Sequence, residues 1–247
     1  MKQELTAILI IMDASGSMHS LATDTIGSFN QFLDEQKLVP GEVIVSLYTF
    51  NTKSTLVYDF ISLNSVTSLT NKTYTPEGGT ALLDAMGTAI DSFGQKLAAL
   101  SEEERPSKVL TLVVTDGQEN SSHRYTAEQI KNMVQHQKDV YSHEFVFMGA
   151  NIDAITAGTN LGISTNNTLN YVPTAAGTHQ LYNTISESTT NYRSAGVVRG
   201  ASFFQPVDGS VEIDVAANNP VIPLTPVVTT ITIPPVKNFP SAKKTIK

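Results

Sequence analysis

Over its first 200 residues the chain switches repeatedly between short apolar runs and stretches whose apolar residues recur every three or four positions. Thr6–Met12 is a continuous apolar run, the pattern of a central parallel strand covered on both faces. Asp24–Leu38 carries Ile26, Phe29, Leu33 and Leu38 at helical spacing, and Thr80–Leu100 sets Leu83, Met86, Ile90, Phe93 and Leu97 on one stripe. Lys108–Thr115 and Glu144–Gly149 are further apolar runs. Thr126 and Gln129 form a capping-box pair, which opens a helix with Ile130, Met133 and Val134 turned inward. Ala175–Tyr192 reads as a last helix, with Leu181, Ile185 and Tyr192 on its stripe. Glu42–Asn51 and Ser54–Ile61, joined by the polar turn at Asn51–Lys53, read as a hairpin. This alternation predicts an α/β sandwich, a mostly parallel sheet with helices on both faces. In such sheets ligands sit at the carboxyl ends of the strands. The loops of interest are therefore those after Met12, before Thr80 and after Thr115.

The chain has 247 residues and is 40% hydrophobic, enough for a full core and an appendage. Twelve of its 16 basic and 20 of its 23 acidic residues precede residue 201, so residues 1–200 carry −8 and the remainder +1. Seven of the 11 prolines lie between Pro206 and Pro240. These shifts divide the chain into a domain over 1–200 and a Pro/Val/Thr-rich extended tail over 201–247. An acidic domain is a poor ligand for polyanions, so nucleic acid is not an expected partner. The absence of cysteine excludes a disulfide framework, a zinc ribbon, an iron–sulfur cluster and a thiol nucleophile. A membrane-spanning helix needs about 20 apolar residues. Leu5–Met12 falls far short and reads as a buried strand rather than a signal segment, so no membrane association is expected.

The three loops hold the chemistry. The first strand ends in Asp13-Ala14-Ser15-Gly16-Ser17, one carboxylate and two hydroxyls at alternate positions. Gly78 and Gly79 precede Thr80 and let the backbone turn tightly before its hydroxyl. The Lys108–Thr115 strand ends in Asp116-Gly117. Five oxygen donors converge from three strand ends without a nitrogen or sulfur among them. Such hard ligands, only two of them charged, suit Mg²⁺, with Mn²⁺ an alternative, in an octahedral shell that keeps some water. Taken singly, each element has a plainer meaning: an Asx-turn, a helix N-cap, a turn. Their joint appearance favours a metal site.

Together these residues resemble a von Willebrand factor type A (vWA) domain and its metal-ion-dependent adhesion site, over roughly residues 1–200. The resemblance implies a three-layer Rossmann-like sandwich with one antiparallel edge hairpin. It implies Mg²⁺ held by Asp13, Ser15, Ser17, Thr80 and Asp116, with an Asp or Glu of a protein partner completing the shell. Gly78–Ala85, Asp116–Asn120 and Phe147–Asn151 resemble the intracellular bacterial and phage branch more than the animal adhesion receptors. The expected setting is then the cytoplasm, or a phage particle made there.

Asp84, Glu119 and Asn120 read as capping or solvated side chains, with water-mediated support of the metal as the alternative. His19 and His123 read as surface histidines on the loops beside the site. Tyr48, Phe50, Phe145 and Phe147 read as core. No nucleotide-binding glycine loop, nucleophile elbow or H-E-x-x-H appears. An aspartyl-phosphate enzyme would want an acid two residues after Asp13, where Ser15 stands. A metal without a general base makes a binding site, so the chain is not expected to be an enzyme. The rivals are a bacterial regulatory subunit that recruits or adjusts an ATPase, and a Mg²⁺-dependent phosphohydrolase.

In the tail, Val211–Val215 reads as a strand, and Val227–Ile233 is strongly β-prone, uncharged and flanked by prolines. Left free, such a segment aggregates. A second partner contact is therefore expected through residues 205–240, in extended form along a sheet edge.

Overall fold

The computed structural model describes residues 1–195 and 202–204. Six strands form one sheet: β1 (Lys2–Asp13), β2 (Glu42–Phe50), β3 (Ser54–Ser62), β4 (Pro106–Thr115), β5 (Glu144–Gly149) and β6 (Thr168–Asn170). Their order is β3-β2-β1-β4-β5-β6. Every neighbouring pair is parallel except the β2–β3 hairpin, whose antiparallel strand forms one edge. The helices are α1 (Ala22–Leu38), α2 (Leu82–Ala99), α3 (Ala127–Tyr141), α4 (Ala154–Asn160) and α5 (Ala175–Ser194).

Side chains alternate across a strand, and β1 serves both faces by that alternation. Ile8, Ile10 and Met12 pack with Phe29 and Leu33 of α1 and with Leu181 and Ile185 of α5. Ala7, Leu9 and Ile11 pack with Met86, Ile90 and Phe93 of α2, with Ile130 and Val134 of α3 and with Ala154 of α4. The result is the three-layer α/β sandwich, with β1 buried on both sides as its unbroken apolar run requires. Tyr48, Phe50, Phe145 and Phe147 are core residues.

Local signals account for several helix ends. Thr126 and Gln129 make the full capping box at α3, satisfying two otherwise orphaned backbone donors. The last turn of α1 is closed from a distance. The buried Arg193 guanidinium of α5 donates to the carbonyls of Gln36 at 2.6 Å and Val39 at 3.0 Å. Leu38, on the predicted stripe of α1, is 84% exposed: five positions after Leu33 it turns away from the face that buries Leu33 and Gln36. The periodicity did not distinguish α4 or β6, of seven and three residues, since neither is long enough to complete a pattern. Phe203 is buried against the α1/α5 side of the core, and its N–H donates to Asn167 Oδ1 at 3.0 Å. The expected tail segments, Val211–Val215 and Val227–Ile233, lie outside the described residues.

Candidate metal centre

Parallel neighbours β2, β1, β4 and β5 all end at the same edge of the sheet, so the loops that follow them meet there. Asp13 is the last residue of β1 and is wholly buried. Its Oδ1 accepts from the Ser15 N–H at 2.7 Å, folding the loop back on itself, and its Oδ2 accepts from the Thr115 hydroxyl at 2.5 Å. The Ser15 and Ser17 hydroxyls lie 3.0 Å apart. Ser17 donates to Asp116 Oδ1 at 2.5 Å. Asp13, Ser15, Ser17 and Asp116 are thereby linked into one hydrogen-bonded cluster at the ends of β1 and β4.

Thr80 arrives from the third loop. Gly78 takes φ +71°, a backbone state that a Cβ penalises, and its carbonyl accepts from the Gly16 N–H at 3.0 Å. A Cβ on Gly79 would fall 2.3 Å from Ser121 Oγ and 2.9 Å from Asn120 Oδ1, so a larger residue there would have to displace those side chains. Thr80 and Asn120 then exchange two bonds: Thr80 N–H to Asn120 Oδ1 at 2.9 Å, and Asn120 N–H to the Thr80 carbonyl at 3.0 Å. A Cβ on Gly117 would sit 3.4 Å from Thr80 Oγ1 and 3.7 Å from Ser17 Oγ, so both hydroxyls crowd the backbone beside Asp116. All five predicted residues therefore gather at one place. Thr80 is not a helix cap, because α2 begins at Leu82 with Ala81 before it.

The neighbouring acids serve the loops. Asp84 accepts from the backbone N–H groups of His123, Arg124 and Tyr125 at 2.8–2.9 Å. Glu119 accepts from the N–H groups of Leu83, Ser121 and Ser122, and the Ser122 hydroxyl accepts from the Asp84 N–H. The loop after Asp116 is thus stitched to the first turn of α2, whose orphan donors it satisfies. Glu119 thus takes the capping role expected of it, while Asp84 tethers the loop ahead of α3. Three supports had no distinct sequence signal. Thr115 bonds Asp13, the Tyr74 hydroxyl donates to the Asp13 carbonyl at 2.6 Å, and Asn151 Nδ2 donates to the Asp116 carbonyl at 3.1 Å.

Burial pushes both Asp13 and Asp116 above the usual carboxylate range. Hydrogen bonds from Thr115 and Ser15 partly offset this for Asp13. For Asp116 the bond from Ser17 offsets it in part, while the nearby Asp13 charge raises it further. No Lys, Arg or His pairs with either acid among the described residues. Two buried, mutually repelling carboxylates without a cationic partner are costly. A divalent cation would relieve both terms at once. The donor set fits one: two carboxylates and three hydroxyls, all hard oxygens. Among the described residues no three His, Cys, Asp or Glu side chains gather as ligands, so the hydroxyls would have to carry much of the shell. Ser15 and Thr80 are buried while Gly16 and Ser17 are exposed, which leaves the cluster open to solvent on the Ser17 side. His19 and His123 are exposed, as expected. His143 is instead wholly buried beside Thr111 Oγ1 at 2.7 Å, and burial lowers it to about 3, so it is a neutral core residue.

Sheet, helices and strand-end cluster define a three-layer α/β domain with an oxygen-lined site at its carboxyl edge. The chain belongs to the von Willebrand factor type A domain family, whose model matches residues 7–195. It is similar in structure to the vWF domain of the type V pili tip protein Mfa5 from Porphyromonas gingivalis (TM-score 0.55, 13% identity, 80% of this chain and 99% of that one). It is also similar to the pilus adhesin SpaC from Lactobacillus rhamnosus GG (TM-score 0.56, 14% identity, 77% of this chain and 30% of that one). A third relative is proximal thread matrix protein 1 from the mussel byssus, in a structure with a zinc-occupied MIDAS motif (TM-score 0.54, 15% identity, 76% of this chain and 46% of that one). The chain thus spans less than half of the mussel protein. At these identities the likeness is one of fold. No curated protein matches the chain by sequence.

Proposed function

We propose that this domain is a metal-dependent protein-interaction module. Asp13, Ser15, Ser17, Thr80 and Asp116 would hold Mg²⁺, and the same donors suit Mn²⁺. The bound cation would supply Lewis acidity and an open coordination position for an Asp or Glu side chain of a protein partner. Around it, Thr115 and the Ser15 N–H orient Asp13, the Thr80–Asn120 pair fixes the threonine loop, and the exposed Ser17 side admits the partner. The observation that carries the reading is the pair of buried carboxylates, ringed by hydroxyls and lacking any paired cation among the described residues. The zinc at the MIDAS motif of the mussel relative, and the pilus adhesin among the fold neighbours, are in keeping with it.

The site is read as non-enzymatic, since no lysine or histidine among the described residues hydrogen-bonds to the five donors as a base would. Isothermal titration should find Mg²⁺ binding in the full chain that is lost in Asp13→Ala and Thr80→Ala. Unchanged binding in both variants refutes the assignment. Phosphatase turnover that disappears in Asp13→Ala would refute the binding-only role. A place in a phage particle, with residues 205–240 as an extended second contact, is the wider reading from sequence. Identifying the proteins that copurify with and without EDTA separates it from an ATPase-associated regulatory subunit.

A further inference from the structure

Beside the strand-end cluster lies a second concavity of about 410 Å³, between the end of β1, the β2–β3 hairpin and the loop leading to Gly78. Ala14, which separates Asp13 from Ser15, forms part of its wall, so the pocket adjoins the metal centre. Lys53, Lys72, Thr49, Thr55 and Thr75 also line it. Thr49 and Thr55 are cross-strand partners on β2 and β3. The hydroxyls of the three threonines make no hydrogen bond among the described residues. The hairpin tip is held against the threonine loop. Asn51 Oδ1 accepts from the Lys53 N–H at 3.0 Å, and the Asn51 carbonyl accepts from the Ala81 N–H at 2.8 Å.

Lys131 excepted, the two lysines stand apart from the other lysines and arginines among the described residues. Lys2, Lys37 and Lys96 pair with carboxylates. Arg105, Lys108, Lys138 and Arg193 donate to backbone carbonyls, and Arg124 to a hydroxyl. Apart from Lys131, the only lysines with no side-chain partner among the described residues are Lys53 and Lys72, and both line this pocket. Uncommitted positive charge, in a region that carries −8 overall, is therefore concentrated next to the proposed cation.

We infer that the pocket receives a second carboxylate of the same protein ligand, which would be an acidic segment with two Asp or Glu residues a few positions apart. The first acid meets the metal and the second meets Lys53, Lys72 and the threonine hydroxyls. This rests on the metal reading above. An extended peptide advances about 3.3 Å per residue and turns alternate side chains to one face, so one segment can span two adjoining sites. The charge pattern adds specificity as well: in a region of net −8, an acidic segment is favoured where uncommitted lysines gather.

The test uses the full chain and two glycine-rich peptides, bearing one aspartate or two aspartates with two to four residues between them. In Mg²⁺ the two-aspartate peptide should bind about fivefold to tenfold more tightly, as two exposed ion pairs would give, and the preference should shrink at high salt. The Lys53→Gln/Lys72→Gln double variant should lose that preference yet keep its affinity for Mg²⁺ and for the single-aspartate peptide. If the wild type binds Mg²⁺ but does not discriminate between the peptides, or the double variant still does, the pocket assignment falls. Tighter binding of a sulfated oligosaccharide than of either peptide overturns it too. Failure of the metal reading is seen separately, in calorimetry with Mg²⁺ alone on wild type and Asp13→Ala.

Discussion

Asp116→Asn should stabilise the metal-free protein and destabilise it relative to wild type once magnesium is present. Asp116 is 2% exposed, carries a charge near that of Asp13 and has no cationic partner among the described residues. Its Oδ1 accepts from Ser17, a bond that an asparagine carbonyl preserves, while Oδ2 has no partner among the described residues. The substitution thus removes one desolvated charge and one repulsion, and it keeps the acceptor for Ser17. Because the cluster opens to solvent near Ser17, the gain is on the order of 1 kcal/mol rather than the larger values of fully enclosed charges. In a domain of this size that corresponds to melting about 2–4 °C higher in EDTA. Magnesium at about 100 times its dissociation constant stabilises a binding-competent fold by about 2.7 kcal/mol, which Asp116→Asn would forgo. The order of melting temperatures should therefore reverse between EDTA and magnesium, and differential scanning calorimetry reads both conditions. A variant that melts below wild type in EDTA would show the carboxylate to be a structural necessity. That result would refute the argument from uncompensated charge.

Asp84 should make the protein acid-sensitive. Burial opposes its ionisation, but three backbone N–H bonds from residues 123–125 together outweigh that and hold it below the usual range. A lowered acid contributes stability above its unfolded value and loses it as pH falls through the folded value, so urea unfolding below about pH 4 should show the loss. Asp84→Asn should cost about 1 kcal/mol at pH 7 and flatten that part of the profile. Gly78→Ala should cost about 1 kcal/mol because of the positive φ, and Gly78→Asn distinctly less, since asparagine tolerates that conformation. Equal losses in denaturant melts would place the cause elsewhere. Arg193→Met should cost about 2–4 kcal/mol, since it strips the end of α1 of its buried donors, and Arg193→Lys should recover only part. Thermal melts of the two variants check it, and a neutral Arg193→Met would overturn the capping role.

Much of this protein is legible in its sequence because the informative signals are local. The unbroken Thr6–Met12 run, the helical stripes and the turn at Asn51–Lys53 each reflect backbone geometry within a few residues, and they lead directly to the sheet and its covering helices. The capping box at Thr126 is likewise a short-range bond pattern that residue types alone reveal. The candidate site is legible for a further reason. Parallel strands end on one edge, so Asp13 and Asp116 can be placed together once β1 and β4 are known, whereas Thr80 follows the antiparallel β3, which ends at the opposite edge, and the chain over 63–79 returns it to the site.

Tertiary structure decided what depends on residues far apart in the chain meeting at short range. Nothing near Thr80 signals that Asn120 brackets it, nor that Tyr74 and Asn151 hold the carbonyls of Asp13 and Asp116. The acids at Asp84 and Glu119 could have faced the metal. The fold turns them onto backbone donors of the neighbouring loop and α2, which are close enough only after β4 has packed beside β1. Lys53 and Lys72 are unremarkable in sequence, and only the hairpin's fold onto the end of β1 sets them at one pocket. Residue types and periodicity determined which atoms this protein can offer. Long-range packing decided which of those atoms are already satisfied and which remain available to a ligand.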